Sequence, residues 1–169
     1  MYYNAKNFNQ SEGSFMSVGK MLGIIFLVGF IAIQLIPVDR SNPKSDPVQE
    51  VKAPTEVKEI FERSCYDCHS NKTHWPWYSG IAPIKWFVAR DVKVGRQWLN
   101  FSEWESYDET KKRKLKEMIF TAVGLAMPLG MYVKVHPDAK LTPKDRDLIR
   151  KWTGIDPEEI MNHPKRHLY

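Results

Sequence analysis

Cys65-Tyr66-Asp67-Cys68-His69 holds the only two cysteines among the 169 residues, three apart, with a histidine directly after the second. A disulfide across so short a loop is rarely structural, so the pair needs a local chemical explanation. The helical periodicity of the residues before it carries Cys65 and Cys68 onto neighbouring positions of one turn. Two thiols so placed reach two vinyl groups on one edge of a porphyrin, while His69 comes under the iron as an imidazole ligand. The expected cofactor is one covalently held haem c, with Cys65, Cys68 and His69 as its binding residues. Two other uses of the motif are poorer. A thioredoxin-like dithiol needs a preceding strand and a βαβ setting, which the sequence lacks. A zinc site drawn from Cys65, Cys68 and two of His69, His74 and His136 has no second Cys-x-x-Cys or His-x₃₋₅-His pair to complete it.

Upstream, Met21 to Ile36 carries no charge and Gln34 is its one strongly polar side chain. Taken to Val38, the run would rise about 27 Å as a helix, close to the roughly 30 Å hydrocarbon core of a bilayer. It is longer than a signal-peptide h-region and no Ala-x-Ala-like site follows it before Asp39, which favours a retained anchor over a cleaved leader. Lysines and arginines flank both ends about equally, so charge does not orient it. The haem motif does, because such haem is attached on the outer side of the bacterial inner membrane. The expected layout is a cytoplasmic segment at 1–20, a transmembrane anchor at 21–38 and an extended Pro-rich linker at 39–54. A periplasmic haem domain at 55–155 follows, then a short helix and basic tail at 156–169.

The net charge of +5 is mild and spread out: residues 1–38 hold +1 from Lys6, Lys20 and Glu12, leaving +4 for the rest. No basic-aromatic motif accompanies it, so nucleic acid is not an expected partner. The one dense patch, Lys111-Lys112-Arg113-Lys114, reads as a solvated helix face.

Within the domain the periodicity is helical and no alternating stretch of useful length appears. The first helix runs from an N-cap at Thr55 to about Cys65, with Val57, Ile60, Phe61 and Ser64 on one face. The second spans about 83–100 with Ile84, Phe87, Val88, Asp91, Val94 and Trp98 on one side. Asp108 caps a third that ends near Gly124, with Leu115, Met118, Ile119 and Ala122 inward. Thr142-Pro143 opens a fourth that Gly154 stops, with Leu148, Ile149 and Trp152 inside. The fold class is all-α, a small cytochrome c-like domain around one haem. Trp75-Pro76-Trp77-Tyr78 is expected to wall the haem edge or fill the core, and Arg90 and Arg96 are candidate partners of a haem propionate.

Between the third and fourth helices lies Gly124-Leu125-Ala126-Met127-Pro128-Leu129-Gly130-Met131-Tyr132. A Met before Pro, in a loop well downstream of the motif, can present a thioether to iron; the competing reading is a Met filling a core gap. Met127 is the expected distal metal ligand opposite His69, with Met131 and then His136 as alternatives. His74 sits too near His69 to reach the other face, and His163 and His167 read as surface residues of the tail.

Residues 55–153 resemble the bacterial haem-binding domain family of cytochrome c-like proteins. The resemblance rests on Cys65-Tyr66-Asp67-Cys68-His69-Ser70-Asn71, Trp75-Pro76-Trp77-Tyr78, Ala82-Pro83, Arg90-Asp91-Val92, Leu99-Asn100-Phe101-Ser102, Met127-Pro128 and His136-Pro137-Asp138-Ala139-Lys140-Leu141. It implies haem binding and a periplasmic setting, and it names no redox partner. The function expected is electron transfer, a carrier rather than an enzyme, exchanging electrons with redox proteins. The alternatives are a haem sensor or peroxidase-like enzyme with an open or displaceable sixth position, or the haem subunit of a larger oxidoreductase.

Overall fold

The computed structural model describes residues 17–162. Residues 1–16 of the expected N-terminal segment, and His163 and His167 of the tail, lie outside them. The chain forms two compact units, residues 1–37 and 38–169.

In the first unit, α1 spans Val18–Gln34 and buries none of its side chains. It starts three residues before the expected anchor and ends four before its expected end at Val38. Pro37 accounts for the early stop, because the residue before a proline is driven out of the helical region. Gln34 turns its amide back onto the Phe30 carbonyl at 3.1 Å. The helix's 17 residues rise about 25 Å. Among the described residues no helix is long and apolar enough to cross a membrane.

The second unit is built from α2 (Thr55–Ser64), α3 (Tyr66–His69), α4 (Ile84–Trp98), α5 (Glu109–Leu125), α6 (Gly130–Val135), α7 (Pro143–Thr153) and α8 (Pro157–Asn162). Short 3-10 turns lie at Trp77–Gly80, Phe101–Ser106 and Pro137–Ala139, and no strand occurs among the described residues. The domain is all-α, as its periodicity predicts. Asp108 caps α5 by accepting from Lys111 N–H. Thr142 and Asp145 form a reciprocal capping box on α7, and Gly154 ends that helix at φ 66°. The α2 cap differs from expectation: Pro54 is the N-cap and Thr55 the first helical residue.

The core gathers Val57, Ile60 and Phe61 of α2, Leu115, Ile119 and Val123 of α5, and Ile149 of α7 around Phe101 and Trp104. Phe61 stacks on Phe101 at 4.5 Å between ring centroids and meets Trp152 edge-on at 5.1 Å. Each large apolar side chain so buried contributes roughly 1.5–3 kcal/mol.

Residues 39–54 contain no helix, yet they do not hang free. Val51 is buried in the core, and its N–H donates to the Phe101 carbonyl at 2.9 Å. Glu50 is buried beside it, accepting from Tyr66 Oη at 3.0 Å and Lys72 Nζ at 2.8 Å. The last part of the expected linker is therefore fastened to the domain at Glu50 and Val51, while most of residues 39–49 are exposed. Its composition reads as solvated because few of its residues are apolar and its polar residues find partners across the chain. Burial alone would raise the Glu50 carboxyl, but the Lys72 and Tyr66 hydrogen bonds together with the Lys72 and Lys58 charges outweigh it and hold the group below the ordinary carboxylate range. A carboxylate lowered by folding stabilises the native state above its unfolded value of about 4.3, and that contribution is lost as pH falls through the native value. The thermal midpoint should thus be flat above about pH 5 and fall below about pH 4. Glu50→Gln should make the fall shallower; an acid limb identical to wild type would remove Glu50 from it.

Candidate functional site

The site starts at the junction of α2 and α3. Cys65 ends α2, donating its N–H to the Phe61 carbonyl, and its own carbonyl then accepts from both Cys68 and His69 N–H at 3.2 and 2.9 Å. That single turn carries both thiols and the imidazole. Cys65 and Cys68 are free cysteines. Burial pushes each thiol up to about 12, with the neighbouring Cys68 adding at Cys65 and the neighbouring Asp67 at Cys68. Both are therefore neutral at physiological pH, the opposite of the acidified cysteine that a redox dithiol needs. Among the described residues no three His, Cys, Asp or Glu side chains group as a metal cluster.

His69 is fixed by α4. Its Nδ1 lies 3.0 Å from the Gly95 carbonyl and 3.2 Å from the Leu99 carbonyl. Two acceptors require Nδ1 to carry the hydrogen, so Nε2 keeps its lone pair. Burial lowers the imidazole pKa, against the two carbonyl bonds, and keeps the ring neutral. Gly95 makes the approach possible: a Cβ there would run into the Cys68 backbone carbonyl.

These groups open onto a cavity of about 380 Å³, within the usual range for a ligand pocket. Cys65, Cys68, His69 and Met127 all line it, and the remaining walls are mostly apolar, from α2, α4 and α5. Met127 and Pro128 cross from α5 toward α6, joined by a cis peptide bond. The other two distal candidates stand elsewhere. Met131 is 74% exposed and His136 accepts or donates at 2.7 Å to Tyr78 Oη; neither lines the cavity.

Several expectations about the walls change. Along the one side of α4 that carries the apolar stripe, Phe87 is 61% accessible, while Asp91, Val94 and Trp98 border the cavity. The face of α4 that packs on the domain carries Lys85, Val92 and Gly95 instead. The C-terminal half of that stripe forms part of the cavity wall, and Ile84 and Phe87 of its first half are exposed. None of Trp75 to Tyr78 lines the cavity, and Trp77 is 81% exposed. Of the two arginines, Arg90 borders the cavity, whereas Arg96 is committed to structure. It donates to the Ser70 and Ser41 carbonyls, Asn42 Oδ1 and Thr73 Oγ1 at 2.8–3.0 Å.

Sequence reasoning passed over Gly95 and Tyr132. A glycine inside a helical pattern is the only signal the first gives. The second gives none, because its partner is Asp67, 65 residues away.

Two neutral thiols on one turn, an imidazole with a free Nε2 and a thioether, set in an apolar cavity, fit the donor set that holds a haem. An all-helical domain built around such a cavity belongs to the class of small haem proteins. The sequence profile of the haem-binding domain family matches residues 28–154, and the chain belongs to that family. Comparison with the curated proteins and with the solved structures returns no match.

Proposed function

We propose that this haem-binding protein is a monohaem c-type cytochrome that carries electrons. The observation behind the reading is the convergence of Cys65, Cys68, His69 and Met127 on one cavity. Cys65 and Cys68 would hold the haem through thioether bonds to its vinyl groups, His69 Nε2 and Met127 Sδ would be the donors offered to its iron, and Arg90 would offer its guanidinium to a propionate. When bound, the haem supplies a one-electron couple, and a thioether ligand favours its reduced form. The chain's own work is to hold both ligands, keep His69 neutral through the Gly95 and Leu99 carbonyls, and exclude water with the apolar walls of α4 and α5.

The proposal includes attachment to the outer face of a bacterial inner membrane. Its support is the uncharged run 21–36, the lack of any buried side chain in α1 and the compartment in which haem c is attached. Helix α1 alone falls short of the roughly 30 Å hydrocarbon core, so the attachment rests on that run and not on a completed span. Redox proteins at or near the membrane are the proposed partners.

The test is covalent attachment. Full-length protein produced with a c-type maturation system should keep its haem through a denaturing gel, visible by peroxidase stain, and Cys65→Ala with Cys68→Ala should lose the band entirely. Wild-type protein that releases its haem on denaturation would end the c-type reading.

A further inference from the structure

Helix α6 poses a physical problem. It has only six residues, starts with Gly130, has no side-chain cap and buries none of its residues. A helix that short is not stable alone, and Tyr132 and Val133 are only half-buried. It nevertheless carries the chain away from Met127-Pro128 along the cavity, and Leu129 and Tyr132 line that cavity with Met127.

What fastens it is polar. Tyr132 Oη donates to Asp67 Oδ2 at 2.7 Å. The other oxygen of that carboxylate accepts from His74 N–H at 2.9 Å, so the acceptor is already oriented. Burial, then the hydrogen bond and charge of Asp67, push the Tyr132 hydroxyl pKa upward, which keeps it a donor. The Tyr132 ring stacks on His136 at 4.4 Å, and His136 is joined to Tyr78 at the far end of the segment. On the near side the segment hangs from α5 through Met127 N–H on the Ala122 carbonyl at 2.9 Å.

Asp67 is the third residue of the motif itself, one position before Cys68. We propose that Tyr132 is the positioning residue of the distal ligand: its hydroxyl on Asp67 ties the segment carrying Met127 to the turn carrying Cys68 and His69. The two iron ligands come from segments about 60 residues apart, and this bond joins those segments beside the cavity. A thioether is a weak ligand, so its time on the metal depends on how firmly its backbone is held. The proposal rests on Met127 as the distal ligand.

Tyr132→Phe removes one oxygen and keeps the ring and its stack on His136. In the full-length holoprotein it should weaken the sulfur-to-iron charge-transfer band of the oxidised form. It should also speed carbon monoxide binding to the reduced form by about tenfold or more, the factor that losing one charge-assisted hydrogen bond carries. Amide hydrogen exchange should rise across residues 129–136 and stay unchanged in α2 and α7. Asp67→Ala approaches the bond from the other side and should reproduce these changes, with the double variant no worse than either single. Asp67→Asn, whose amide oxygen can keep the His74 N–H while its NH2 donates to the Tyr132 oxygen, keeps the tie without the charge and should fall between wild type and Asp67→Ala. A wild type with the band, matched by a Tyr132→Phe variant with the same band and the same carbon monoxide rate, overturns the positioning role alone. A wild type without the band defeats the Met127 reading and this proposal with it.

Discussion

Met127→Ala should turn a protein inert to carbon monoxide into one that binds it readily when reduced. Of the three candidates for the distal ligand, Met127 alone lines the cavity, while Met131 and His136 do not. Removing it opens the sixth position and withdraws the ligand that favours the reduced state, so the reduction potential should fall by on the order of 0.1 V. The sulfur-to-iron band of the oxidised protein should vanish. Met131→Ala, at a residue 74% exposed, should leave all three readouts unchanged. A wild type that already binds carbon monoxide fast would mean an open site, and the electron carrier would then yield to a sensor or enzyme. Should His136→Ala produce the effects and Met127→Ala not, the ligand is the imidazole, and the Tyr78 hydrogen bond must break to release it.

The second large effect is expected at Gly95. Glycine inside a helix ordinarily costs about 1 kcal/mol against alanine, so Gly95→Ala would stabilise α4 if it acted only there. The Cβ meets the Cys68 carbonyl, which is backbone and cannot swing aside. Separating the two costs roughly 1–3 kcal/mol by the general scale of overpacking, which outweighs the helix gain. It also pulls the Gly95 and Leu99 carbonyls away from His69 Nδ1. Gly95→Ala should therefore lower unfolding stability and cut haem incorporation severalfold, and Gly95→Val should abolish incorporation. Gly130→Ala, where a Cβ would meet nothing within 4 Å, is the control and should incorporate haem normally. Normal incorporation in Gly95→Val would show that the motif tolerates a displaced α4.

Local rules made much of this molecule legible in advance. The Asp108 and Thr142 caps, the Gly154 stop and the all-α class follow from short-range chemistry, and the structure has them. What sequence could not supply lies in long-range pairing. The α4 stripe was visible but not its target, since periodicity reports that a face is apolar and not whether core or ligand covers it. Arg96 looked free because its four partners sit 23 to 55 residues away. Residues 39–54 looked like a spacer for the same reason: Glu50 and Val51 gain their burial from Tyr66, Lys72 and Phe101, and no local pattern announces that. At the site, the motif gave three residues by spacing alone, whereas Gly95 and Tyr132 emerge only once α4 and α6 are set against it.

Phe61, Phe101, Leu115, Ile119, Val123 and Leu141 belong both to the hydrophobic core and to the cavity lining. Folding and loading are consequently one linked equilibrium. Any ligand that fills the cavity stabilises the fold by mass action. Conversely, a substitution that loosens the core weakens the cavity's grip without touching a single donor atom. In the proposed c-type protein, covalent attachment would act as a ratchet: once both thioethers had formed, the loaded state could not dissociate back to a bare chain. A core variant of moderate severity should therefore show its defect as poor yield during maturation, while the molecules that do mature unfold late and behave almost as wild type.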